Sequence, residues 1–306
     1  MAKAFFCYSV YWRVKMHHEK FLGEDPGGVP GELGGDPISH KVKLVAVDLD
    51  DTLLSKDLVV TNRVKAAVAA VRAAGIYFTV ATGRMYQSAA RIARSLDVNI
   101  PLITYQGALV KNSLSGEVLV DKPLPLVYAR EVIARIHRYG YHLNGYLDDR
   151  LLMEHDSEEG SHYAAIAGVE VEMVGNLLEY LDRDPTKVIA IAEEPLIDQL
   201  KDELTPLYEG KIAISKSKPY FLEFAHREAT KGQALAFLAS YLGIKRDEIM
   251  AVGDGYNDLD MLNYAGLGVV VANAREEIKG YADYVTTAPY GDGVVEALEK
   301  FVPVRY

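Results

Sequence analysis

The stretch "KLVAVDLDDTLL", Lys43 to Leu54, narrows what this chain can fold into more than any other. Leu44 to Val47 form an unbroken apolar run, and such a run predicts a strand buried on both faces of a parallel sheet. It stops abruptly in Asp48, Asp50 and Asp51. Carboxylates at the end of a buried strand repel one another and lose hydration, so they need a positively charged partner.

The segments that follow keep the same rhythm. In "TNRVKAAVAAVRAAG", Thr61 is placed to cap a helix, Val and Ala recur at helical spacing, and Gly75 ends it. Then come a strand "IYFTVAT", a helix "GRMYQSAARIARSLD" and a strand "PLITYQG". The pattern returns near the end with "KGQALAFLASYLG", "IMAVGD", "YNDLDMLNYAG", "LGVVVA", "AREEIKGYA", "DYVTT" and "GVVEALEKF". Apolar strands alternating with helices predict an α/β fold with a Rossmann-like parallel sheet.

The middle differs. "HLNGYLDDRLLMEH" reads as a hairpin turning near Asp148–Asp149, and "VEVEMV", "TKVIAIA" and "KIAISKSKPYFLEF" read as further strands. Helices "PLVYAREVIARIHRYG" and "PLIDQLKDELTPLY" are interleaved with them. The expectation is an α+β cap domain, residues 111–225, inserted into a core of residues 41–110 and 226–306. The length of 306 residues also suits two domains rather than one. Residues 1–40, with the Gly- and Pro-dense "GEDPGGVPGELGGDP", read as an extension and flexible linker.

Net charge of −10 argues against general affinity for nucleic acid or anionic membranes. A single cysteine, Cys7, excludes an intramolecular disulfide and suits a reducing compartment. With no spanning stretch and no cleavage site after "MAKAFFCYSVYWRVKMHH", a cytoplasmic location is expected.

Ligands of open parallel sheets bind at the carboxyl ends of the strands. Four such places carry polar residues: Asp48, Asp50, Asp51 and Thr52; Thr82, Gly83 and Arg84; Lys231 at a helix start; and Asp254, Asn257 and Asp258. Acids, a hydroxyl and a lysine at one sheet edge suit a divalent cation that holds a phosphate between carboxylates and an ammonium group. A carboxylate can also attack phosphorus, giving an aspartyl-phosphate for water to hydrolyse.

In this order, "DLDDTLL", "TGR", a lysine before a helix and "GDGYND" resemble the four motifs of the haloacid dehalogenase superfamily. The insertion and "ITYQGALV" resemble its Cof-type subgroup, subclass IIB. The resemblance implies Asp48 as nucleophile and Mg²⁺ ligand. It implies Asp50 as the acid and base, with its backbone carbonyl on the metal. Asp254 and Asp258 would complete the metal site, and Thr82, Lys231, Asn257, Gly83 and Arg84 would meet the phosphate. The implied activity is Mg²⁺-dependent hydrolysis of small phosphorylated metabolites such as sugar, flavin-pathway or pyridoxal phosphates, by a monomer or homodimer. A phosphotransferase or phosphomutase, or a non-catalytic metabolite-binding regulator, is the alternative.

Three departures stand out. Asp51 has no role, Gln106 replaces a usual Asn, and Glu228 stands where relatives often have Gly. Thr82 is expected to cap the following helix as well as bind phosphate. Arg84 is divided between an ion pair and a substrate contact, and Asp260 reads as a helix-face acid. Tyr86, Tyr146, Arg150 and Tyr220 are candidates for the substrate cleft beneath the insertion.

Overall fold

The structure, a computed structural model, describes residues 42–303 apart from Lys56. The expected extension over residues 1–40, with Cys7, lies outside the described residues. Strand β1 is Leu44–Val47. Thr61 caps helix α1 (Asn62–Ala73), its Oγ1 accepting the Val64 N–H at 3.3 Å. Val64, Ala67, Val68 and Val71 form its buried stripe, at the spacing an amphipathic helix requires. Strand β2 (Tyr77–Val80), helix α2 (Tyr86–Ser95) and strand β3 (Pro101–Thr104) follow.

Two short strands, β4 (Leu109–Asn112) and β5 (Val118–Asp121), were not anticipated. They pair antiparallel beside β3 and run on past residue 111.

The inserted elements come next: α3 (Leu126–Ile136), β6 (His142–Leu147), β7 (Arg150–Met153), α4 (Glu158–Ala167), β8 (Val171–Met173) and α5 (Leu177–Tyr180). Then follow β9 (Lys187–Ile191), α6 (Glu194–Tyr208), β10 (Ile212–Lys218) and β11 (Phe221–His226). The chain finishes with α7 (Lys231–Tyr241), β12 (Ile249–Gly253), α8 (Leu259–Tyr264), β13 (Leu267–Val270), α9 (Glu276–Lys279), β14 (Tyr284–Val285) and α10 (Tyr290–Phe301).

The fold is α/β. A parallel sheet runs in the order β14-β13-β12-β1-β2. β1 lies between β2 and β12, so Leu44–Val47 are buried on both faces, as their uninterrupted apolarity required. A parallel bridge between Ala81 and Ile103 carries the sheet on to β3.

A second sheet, ordered β10-β11-β9-β6-β7-β8, is antiparallel except where β7 meets β8. Its β6–β7 hairpin turns at Asp148 and Asp149, whose φ values of 53° and 57° fit a type I′ turn. On one face, Leu143 and Leu147 of β6 pack with Val132 and Ile136 of α3 and with Leu200 and Leu204 of α6. On the other, Tyr146, Ile189 and Phe221 join Met85, Tyr105 and Ala229. These last three residues come from the loops at the carboxyl edge of the parallel sheet. The inserted sheet therefore lies over that edge. Among the described residues no helix is long and apolar enough to cross a membrane.

Candidate active site

The ladder between β1 and β12 continues one residue beyond the strand, where Asp48 N–H donates to the Val252 carbonyl at 2.9 Å. This anchors Asp48, 5% exposed, at the sheet's carboxyl edge. The chain then folds back, Leu53 N–H reaching the Asp48 carbonyl at 3.2 Å. The turn puts Asp51 at φ 61° and buries Thr52, whose hydroxyl donates to Asp254 Oδ1 at 2.5 Å.

Asp254 follows β12 directly. Asp258 turns its Oδ2 back on the strand end and accepts the N–H groups of Asp254 at 3.0 Å and Gly255 at 2.9 Å. Lys231, fully buried, opens α7. Its Nζ donates to Asp48 Oδ1 at 2.5 Å and to Asp258 Oδ1 at 2.6 Å. Two features hold that helix start. Thr230 caps it, its Oγ1 accepting Gln233 N–H at 3.2 Å, and Asp260 Oδ2 accepts Gly232 N–H at 2.7 Å. Asp260 is thus a tether between α7 and α8, not merely an acid on a helix face. Gly107, at φ 95°, lies so close to this start that a Cβ would sit 2.2 Å from the Thr230 carbonyl oxygen.

Carboxylate oxygens of Asp48, Asp254 and Asp258 lie within 4.8 Å of one another. One lysine faces three acids, so negative charge is left over. Burial, reinforced by Asp258, Asp254 and Asp50, pushes Asp48 well above the usual carboxylate range, although Lys231 pulls the other way. Burial likewise pushes Asp254 up to about 7, against the Thr52 hydrogen bond. Lys231 stays charged: burial works against its ammonium, and Asp258 and Asp48 outweigh it. Protonation or a cation relieves such a surplus, and an all-oxygen donor set suits a hard divalent ion.

The remaining expected residues gather around this centre with some changes of partner. Arg84 forks onto Asp50, Nε to Oδ2 at 2.8 Å and Nη2 to Oδ1 at 2.6 Å. Of its two readings, the ion pair is the one the structure contains. The Asp50 side chain therefore stands outside the acidic cluster, engaged by Arg84. Thr82 is buried beside Gly83, and its Oγ1 accepts Arg84 N–H at 3.1 Å. It does not cap α2, which starts four residues later at Tyr86 with Met85 in the cap position. The bend at Gly83 and Arg84 and the extended Met85 separate the loop that Thr82 closes from the helix. Asn257 donates to Gln106 Oε1 at 3.1 Å, so the longer Gln reaches a partner across the site edge.

Asp51, unexplained by the sequence, pairs with Lys218 of β10 at 2.9 Å, while Asn273 holds its carbonyl at 2.7 Å. A second lysine from the insertion, Lys187, is 2% exposed and lies between Glu223 at 2.8 Å and the Gly83 carbonyl at 3.2 Å. The signal for this pair was present, as charged residues embedded in the apolar runs "TKVIAIA" and "FLEF". Of the four cleft candidates, Tyr146 is buried on this face, its hydroxyl 2.5 Å from that of Tyr163. Arg150 instead binds Glu172 at 2.6 Å within the inserted sheet.

A sequence profile of haloacid dehalogenase-like hydrolases matches residues 45–298. The chain is 30% identical to a phosphoglycolate phosphatase of Archaeoglobus fulgidus, over 85% of this chain and 96% of that one. It is 27% identical to a 5-amino-6-(5-phospho-D-ribitylamino)uracil phosphatase of Bacillus subtilis, covering 85% and 98%. A haloacid dehalogenase-like hydrolase from Bacteroides thetaiotaomicron superposes with a TM-score of 0.78 at 27% identity, covering 85% and 99% of the two chains.

Proposed function

Because the chain belongs to the haloacid dehalogenase-like hydrolases, we propose that it is a Mg²⁺-dependent phosphatase that hydrolyses small phosphate monoesters through an aspartyl-phosphate on Asp48. The observation that carries this reading is the Lys231 ammonium bound to both Asp48 and Asp258 at the carboxyl edge of the sheet, with Asp254 beside them.

Lys231 occupies Oδ1 of Asp48, and Oδ2 has no hydrogen-bond donor among the described residues. Oδ2 attacks phosphorus as the bond to the leaving oxygen breaks, and Asp50 gives that oxygen its proton. Asp50 next takes a proton from water, whose oxygen attacks the aspartyl-phosphate and frees Asp48. In the structure Arg84 holds the ionised Asp50 carboxylate by both oxygens, so one oxygen must leave Arg84 to carry the proton while the other keeps the group in place. Thr82, Lys231, the Gly83 backbone and Asn257 surround the phosphoryl oxygens with donors where charge is spread in the transition state. Asp48, Asp254 and Asp258, with the Asp50 carbonyl, would hold Mg²⁺, which when bound supplies positive charge against the phosphate oxygens.

The inserted sheet lies over the site as a cap, which favours small organic phosphates over protein substrates. The names of the two curated relatives point to the same class, phosphoglycolate and a phosphoribitylamino compound. The test is phosphate release by the full chain over a panel of phosphorylated metabolites. Release with Mg²⁺, loss with EDTA and recovery on adding Mg²⁺ are expected. No release from any member of the panel, or activity indifferent to EDTA, would overturn the reading.

A further inference from the structure

Away from the Asp48 centre, α2, β4 and the end of α4 line an open concavity of about 880 Å³. It shares no lining residue with the acidic cluster, Lys231, Thr82 or Asp50. That volume lies in the range of small-molecule sites, roughly 300–1,000 Å³. Its lining includes the small side chains Ala90 of α2 and Ala164 and Ala165 of α4, and the ring of Tyr86.

Three cations surround it: Arg91 and Arg94, one helical turn apart on α2, and Lys111 on β4. Arg91 donates to the Gly168 carbonyl. Lys111 stands 4.4 Å above the centre of the Tyr86 ring. The Arg94 guanidinium makes no hydrogen bond to any described residue, while its backbone carbonyl accepts Asp97 N–H at 3.0 Å. None of the three forms an ion pair among the described residues. Two acids share the lining. Asp149 accepts Tyr86 N–H at 3.0 Å, Gln87 N–H at 3.0 Å and the Tyr105 hydroxyl at 2.8 Å, and its charge also acts on Lys111. Glu170 is exposed, so three cations face two carboxylates around the concavity.

An isolated surface cation needs no explanation, since solvent suffices. Convergence of three on one concavity, in a chain with 43 acids against 33 bases, is a different matter. Confined cations raise the local potential and concentrate anions there. We infer that this cavity is a second binding site, for a small organic polyanion of the phosphorylated-metabolite type, set apart from the phosphate site on Asp48. Its walls come from both sides of the molecule. Ser88 Oγ of α2 donates to the Ala167 carbonyl at the end of α4 at 2.9 Å, and Asp149 of the inserted hairpin accepts the first N–H groups of α2. An anion bound to Arg94 and Lys111 against α4 adds to the contacts that hold the insertion over the Gly83 loop.

The test is calorimetric titration of the full chain, in EDTA, with methylenediphosphonate, a diphosphate analogue that cannot be hydrolysed. Wild type and Asp48→Asn should bind it alike, while Arg94→Glu/Lys111→Glu should bind it at least about tenfold more weakly. The single Arg94→Glu, at an exposed side chain, should shift affinity the same way while its melting temperature stays that of wild type. Equal affinity in the doubly reversed variant, loss of binding in Asp48→Asn, or no binding by wild type up to roughly millimolar probe would each overturn the site. Because the readout is binding without metal or turnover, its failure is distinguishable from a failure of the phosphatase reading.

Discussion

Gly107→Ala perturbs the site without altering any side chain proposed to do chemistry, meeting only the backbone of Thr230 and Lys231. At φ 95° an alanine is held in the left-handed region, at a cost of about 1–2 kcal/mol. The new Cβ also stands 2.2 Å from the Thr230 carbonyl oxygen and 2.6 Å from its carbon, both backbone atoms that no rotamer change can move aside. Overpacking of this kind costs typically about 1–3 kcal/mol. The combined loss is roughly 2–5 kcal/mol, or on the order of 5–15 °C in melting temperature for a chain of this size. Thr230 must retreat by about 1 Å to reach ordinary contact, and it carries Lys231 with it. Displacement on that scale can cost about a hundredfold in turnover.

Gly243→Ala, just past the far end of α7, is the matched control. Its φ of 68° imposes similar strain, but a Cβ there meets nothing within 4 Å. It should lose only about 1–2 kcal/mol and keep wild-type turnover. Thermal melts and phosphate release on both variants decide the point. If Gly107→Ala matched Gly243→Ala in both measurements, the claim that this close approach positions Lys231 would be wrong.

Lys187→Met should destabilise the fold by about 3–5 kcal/mol, since it leaves Glu223 buried and unpaired. Adding Glu223→Leu should recover most of that loss, and denaturant titration of the single and double variants checks both. Asp254 holds its proton up to about 7 when folded, against an ordinary 3.8, so the folded state binds the extra proton between those values. Stability in EDTA should therefore fall as pH rises from about 4 to about 7, and Asp254→Asn should reduce that slope, the part due to the likewise raised Asp48 remaining. Melting temperature against pH with EDTA or excess Mg²⁺ reads the effect, and Mg²⁺ should raise the upper end of the curve.

Much of this architecture was legible in local pattern. The run Leu44–Val47 marks the central strand because only a strand flanked on both sides can stay apolar throughout. Asp48, Asp254 and Asp258 stand at or just beyond strand termini on one edge, whereas Lys231 looks like an ordinary solvated lysine until the order of the motifs around it is considered. Their partners were less accessible. Arg84 meets Asp50, and Asp51 meets Lys218, across gaps of 34 and 167 residues that no local pattern encodes. Helix α4 was missed because only Gly160 within it is fully buried, leaving no apolar stripe to read. Thr82 was misread as a helix cap because a hydroxyl before "GRMYQ" gives the same signal whether it closes a loop or starts a helix.

The central claim is that Asp48 takes up the phosphoryl group. Acid-quenched turnover, followed by peptide mass spectrometry, measures it directly. The account predicts a phosphoryl adduct on Asp48 within the peptide around "AVDLDDTLL", absent from Asp48→Asn, which should also release no phosphate. An adduct on another residue, or full turnover by Asp48→Asn, would contradict it.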